Sequence, residues 1–119
     1  MQASRPRALV VDDDEALRML IRVNLELDGF EVAEAATLAD AERAARESQC
    51  DVVLLDVHLG HDESDGLLAL LRSRGVPVVL VTGSSDADLY RDRADAVLTK
   101  PFEPQALVNL ARRLARVEA

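Results

Sequence analysis

The run Asp51-Val52-Val53-Leu54-Leu55-Asp56 constrains this chain more than any other stretch. Four consecutive large aliphatics, two of them β-branched, do not suit a half-exposed element and read as a strand buried on both faces. Such a strand belongs to a parallel sheet with helices packed on each side. Leu9-Val10-Val11 and Val78-Val79-Leu80-Val81 have the same character. Strand-like and helix-like segments alternate through the whole length.

Taken in order, Ala8 to Asp12 reads as the first strand. Asp14 or a neighbour can cap a helix running to Asp28, with Leu17, Leu20, Ile21 and Leu25 on one face and Gly29 as its stop. Phe30 to Ala35 alternates apolar and charged residues, as a half-exposed strand does. Thr37 then caps an alanine-rich helix to about Ser48. Ser64 or Asp65 opens a helix through Leu67, Leu68, Leu70 and Leu71, and Gly75-Val76-Pro77 returns the chain to the fourth strand. Residues 84–93 are polar and allow at most a couple of turns, a shortened helix four. A brief fifth strand follows. Pro104 suits a first helical turn, and Leu107, Leu110, Ala111, Leu114 and Val117 recur at helical spacing. The leucine-rich helix faces read as core. The second and fifth strands are the weak ones and belong at the edges. The expected fold is therefore a single doubly wound five-stranded parallel sheet, flavodoxin-like, in the order 2-1-3-4-5 with a switch point between strands one and three.

At 119 residues the chain fits one domain, residues 1–119, whose core must be aliphatic because only three residues are aromatic. The net charge is −8 and no basic patch stands out, which argues against direct binding of nucleic acid or an acidic membrane. The single Cys50 permits no internal disulfide and reads as a small apolar residue before a strand. No apolar run approaches membrane-spanning length, and the first seven residues lack the hydrophobic region of a signal peptide. The expected location is cytoplasmic.

In an open parallel sheet, ligands bind outside the carboxyl ends of the strands. Four chemically distinctive groups fall on that rim here: Asp12-Asp13 after strand one, Asp56 after strand three, Thr82-Gly83 after strand four and Lys100-Pro101 after strand five. Thirteen of the fourteen basic residues are arginine, so the only lysine stands at the one place where a slim point charge would reach into the crevice. Two carboxylates about 5 Å apart at an effective dielectric of about 20 repel by roughly 3 kcal/mol, so such a rim calls for a cation.

With these residues in this order, the chain resembles a two-component response-regulator receiver domain, CheY-like in fold. The resemblance implies phosphoryl transfer to Asp56 from a histidine kinase or a histidine phosphotransfer protein. It implies Mg²⁺, with Mn²⁺ as the alternative ion, bound by Asp13 directly, by Asp12 through water, by Asp56 and by the backbone carbonyl of His58. Thr82 and Gly83 would bind the phosphoryl group and switch with it, Lys100 would pair with its oxygens, and the Lys100–Pro101 peptide would be cis. The output would pass to a downstream protein target from a monomer or weak dimer that is a signalling phosphoacceptor, not an enzyme. The physics asks for the same residue types, because phosphoryl transfer to a carboxylate depends on positioning and on neutralising the phosphoryl oxygens.

Some features depart from the family pattern. Leu59 is followed by Gly60, the loop to Gly66 is longer, the span from Thr82 to Lys100 is shorter, and Val97 stands where an aromatic switch is usual. Pro77, Thr82 and Gly83 match a receiver subgroup named for the motif PFxFATGY, whose members are typically stand-alone. Val97 is too small and too stiff to relay the movement of Thr82, so the signal is expected to leave through residues 83–92 and 57–63. Two other readings compete. One is a phosphatase of the haloacid-dehalogenase type with Asp12 as nucleophile; the other is a receiver that only docks and is not phosphorylated.

Overall fold

The computed structural model describes residues 5–56, 64–83 and 94–115, with Ser64 and Asp65 as backbone only. Its described elements are β1 (Arg7–Val11), α1 (Glu15–Leu27), β2 (Glu31–Ala35), α2 (Leu38–Glu47), β3 (Val52–Asp56), α3 (Ser64–Ser73), β4 (Val78–Thr82), β5 (Ala96–Thr99) and α4 (Pro104–Leu114). All neighbouring strands pair in parallel, in the order β2-β1-β3-β4-β5. The doubly wound sheet expected from the aliphatic runs is thus present. Residues 84–93, where a shortened helix was expected, lie outside the described residues.

The uninterrupted runs make sense once their side chains are sorted by face. Side chains alternate across a strand with period two. Leu9, Val11, Val53, Leu55, Val78 and Leu80 pack on one side with Ala41, Ala45, Leu67, Leu68 and Leu71 of α2 and α3. Ala8, Val10, Val52, Leu54, Val79 and Val81 pack on the other with Ile21, Leu25, Leu107, Val108 and Ala111 of α1 and α4. Every residue of β3 and β4 is buried, whereas β2 is mostly exposed and β5 half-buried, as edge strands should be.

Local chemistry sets the helix ends. The Asp14 carboxylate accepts from the amides of Ala16 and Leu17 at the start of α1, and Gly29, at φ +98°, lets the chain leave its far end. Thr37 caps α2 by accepting from the Asp40 amide at 3.1 Å, and Pro104 begins α4. One expectation fails on α1. Leu20 is exposed, together with Met19, Val23 and Leu27, because the buried stripe is centred on Ile21 and Leu25 and Leu20 falls about a quarter-turn off it. Cys50 is half-buried against the α2–α3 side, where desolvation raises its thiol pKa.

Candidate functional site

Parallel pairing brings all the strand carboxyl ends to one rim, and those of β1, β3, β4 and β5 deliver carboxylates, a hydroxyl and an ammonium to it. The three consecutive aspartates after β1 divide the work. Asp12 is the first residue past the strand, its amide still bonded to the Ala35 carbonyl at 3.0 Å. Its Oδ1 accepts from the Asp14 amide at 2.8 Å, which closes a tight turn. Asp14 turns away to cap α1, and Asp13 is left exposed at the mouth of the crevice.

Across the gap, Asp56 ends β3. Asp12 is 1 % exposed and Asp56 4 %. Asp12, Asp13 and Asp56 each offer a carboxylate oxygen, and these oxygens lie within 4.8 Å of one another. Among the described residues this is the one carboxylate group so assembled. Burial, opposed by the Asp14 amide and reinforced by the neighbouring Asp56, raises the Asp12 carboxyl to about pKa 6, and the two acids share a hydrogen bond.

The positive charge comes from β5. Lys100 Nζ lies 3.2 Å from Asp56 Oδ2, and its amide donates to the Thr82 carbonyl at 2.7 Å. Hydroxyl and ammonium are therefore carried on neighbouring strand ends tied by one backbone bond. Thr82 is fully buried, its hydroxyl donating to the Gly83 carbonyl at 3.2 Å. The Lys100–Pro101 peptide bond is cis. Val97 packs, half-buried, against the α2–α3 side. His58 and the loop 57–63 lie outside the described residues.

An all-oxygen, anionic cradle is the donor set that Mg²⁺ and Mn²⁺ prefer, and Asp12, Asp13 and Asp56 each bring one such oxygen to within 4.8 Å of the other two. The residues present fit such an ion. Asp12, by contrast, is poorly placed as a nucleophile, because one of its oxygens is held by the Asp14 amide and the lysine faces Asp56.

Residues 8–112 match the response regulator receiver domain. The chain belongs to that family. The receiver chain is 38 % identical over 124 residues to the DNA-binding response regulator MtrA of Mycolicibacterium smegmatis, covering 99 % of this chain and 54 % of that protein. It is 37 % identical to the transcriptional regulatory protein PrrA of Mycobacterium tuberculosis, over 93 % of this chain and 50 % of that protein. It thus spans about half the length of these relatives. Its backbone is similar to that of a CheY-like receiver domain protein from Methanospirillum hungatei, with a TM-score of 0.83, 27 % identity and 95 % of each chain covered. The receiver domain serves two-component signalling, and no described helix is long and apolar enough to cross a membrane.

Nothing in the sequence pattern singles out Arg18, yet its guanidinium contacts the Asp12 carbonyl at 2.8 Å. The available signal was its place four residues after the cap Asp14, which returns a long side chain to the helix start.

Proposed function

We propose that this receiver domain accepts a phosphoryl group on Asp56 from a phosphohistidine of a histidine kinase or phosphotransfer protein. The observation that carries this reading is the pairing of Asp56 with Lys100 at 3.2 Å inside a cluster that includes Asp12 and Asp13. An Asp56 oxygen forms the new bond to phosphorus as the histidine N–P bond breaks, and the imidazole leaves.

Asp13, Asp56 and the His58 carbonyl, with Asp12 acting through water, would hold Mg²⁺ or Mn²⁺. When bound, the ion supplies positive charge against the phosphoryl oxygens. Lys100 holds Asp56 in line and then pairs with the incoming oxygens as a point charge. The buried Thr82 hydroxyl exchanges its bond to the Gly83 carbonyl for a charge-assisted bond to the phosphoryl group. The changed rim is then read by a downstream protein target in the cytoplasm.

Labelling with radioactive acetyl phosphate and Mg²⁺, followed by peptide mapping, tests the reading. Acid-stable, base-labile phosphate on Asp56 is expected. Label on Asp12 would favour the phosphatase chemistry instead, and absence of label would leave only docking.

A further inference from the structure

Arg18 lies on α1 and sends its guanidinium back over the rim. Its Nη1 donates to the Asp12 carbonyl at 2.8 Å, and its Nε donates to Glu34 Oε1 at 2.9 Å. Glu34 sits on edge strand β2 opposite Val10 of β1, so the guanidinium bridges the helix, the edge strand and the end of the central strand. The second oxygen of Glu34 faces Arg22 Nε at 3.2 Å, close enough for an ion pair but with that N–H left without a hydrogen bond. Arg18 is the most buried of the three, with a side chain 16 % exposed against about a third for the other two.

We propose that Arg18 is a positioning residue for the metal-binding acids: it grips the peptide between Asp12 and Asp13 and so aims the Asp13 carboxylate, while Glu34 holds the guanidinium in place. The inference rests on reading Asp12, Asp13 and Asp56 as the cation site. Its physical basis is the planarity of the peptide unit, which moves as one body about the flanking single bonds. The Asp12 amide is already fixed by Ala35 and its Oδ1 by Asp14. The carbonyl is the remaining handle, and fixing it fixes the amide from which Asp13 departs. Asp13 is exposed, so packing alone does little to orient it.

The sign of the effect separates this role from a simple charge effect. A guanidinium near a cation site repels the cation, so deleting it by charge alone would tighten binding. Loss of positioning would weaken it. Mg²⁺ titration of the full chain, followed by amide shifts in NMR, reads the difference in wild type, Arg18→Met, Arg18→Lys and Glu34→Gln. Arg18→Met is expected to bind Mg²⁺ roughly tenfold more weakly, the lower end of what losing a partner of a metal ligand costs. Arg18→Lys should fall between, because one ammonium does not reproduce the planar fork that spans carbonyl and carboxylate. Glu34→Gln should show the smallest loss. Affinity in Arg18→Met that equals or exceeds wild type overturns the proposal. Should that variant not fold, undiminished affinity in both Arg18→Lys and Glu34→Gln overturns it. A wild type with no saturable Mg²⁺ response overturns the cation-site reading and this inference with it, whereas a wild-type response that Arg18→Met keeps overturns the inference alone.

Discussion

Strand β3 carries an aspartate at each end, and the two live under opposite conditions. At the amino end, Asp51 exchanges two bonds with Arg7, the first residue of β1. Its amide donates to the Arg7 carbonyl at 2.7 Å, and its Oδ2 accepts from the Arg7 amide at 2.7 Å. Asp95 makes the same clasp with Val78, the first residue of β4. Each of these acids closes the start of a neighbouring strand. At the carboxyl end, Asp56 meets other acids and a lysine, four per cent exposed. One residue type therefore does structural work where it faces a backbone donor. Where the sheet turns it toward its own kind, it is the proposed phosphoryl acceptor.

The difference should be widest in chemistry. Asp56→Asn should fold and lose phosphoryl incorporation altogether, while Asp51→Asn should be labelled like wild type; acetyl phosphate labelling of both checks this. A labelled Asp56→Asn protein would erase the contrast. Lys100→Arg comes next. Phosphotransfer should slow by roughly ten- to a hundredfold, less than removing an oxyanion donor outright, because the bulky planar group does not sit as a point charge. Stopped phosphotransfer assays alongside melting curves would show the rate fall with stability nearly unchanged.

Acidity sharpens the contrast in stability. The folded Asp12 carboxyl, at about pKa 6 against 3.8 ordinarily, binds its proton more tightly than in the unfolded chain. Its contribution is fully favourable below about pH 4, and it is lost as pH rises to 6 and beyond. The shift corresponds to about 3 kcal/mol. Metal-free wild type should gain about that much relative to Asp12→Asn between pH 7 and pH 4 in denaturant titrations. Parallel pH profiles for the two would show that Asp12 is not strained. Mg²⁺ at a hundred times its dissociation constant should stabilise the wild type by about 2.7 kcal/mol by mass action. Asp13→Asn should lose most of that shift and Asp95→Ala should keep it, as thermal melts with and without Mg²⁺ would report. The smallest effect belongs to the amino rim: Asp51→Ala should cost about 1 kcal/mol through the lost bond to the Arg7 amide, with labelling unchanged.

The order of the strands was readable because β1, β3 and β4 carry the long unbroken aliphatic runs. That leaves β2, with Glu31 and Glu34, and the brief β5 for the edges. The convergence of Asp12, Asp13, Asp56 and Lys100 followed from strand polarity alone. What periodicity did not reveal depends on where single side chains turn. Leu20 shares helical spacing with Leu17 yet faces solvent, since spacing does not fix where a stripe is centred. Arg18 looks like a solvated helix residue until its guanidinium is seen on the Asp12 carbonyl. Likewise, the division of labour among three identical aspartates rests on which carboxylate meets which amide.

The alternation of β3 and β4 side chains between two packing layers makes the sheet a partition. Val79 and Leu80 are consecutive letters, but one belongs with α1 and α4 and the other with α2 and α3. Substitutions at such neighbours disturb different packing clusters, so the coupling between them is what passes through the backbone they share. Over many generations, each helix pair can then be repacked against its own side of the sheet without forcing compensation on the other. Inheritance along this chain is linear, but the units that must change together are every second residue.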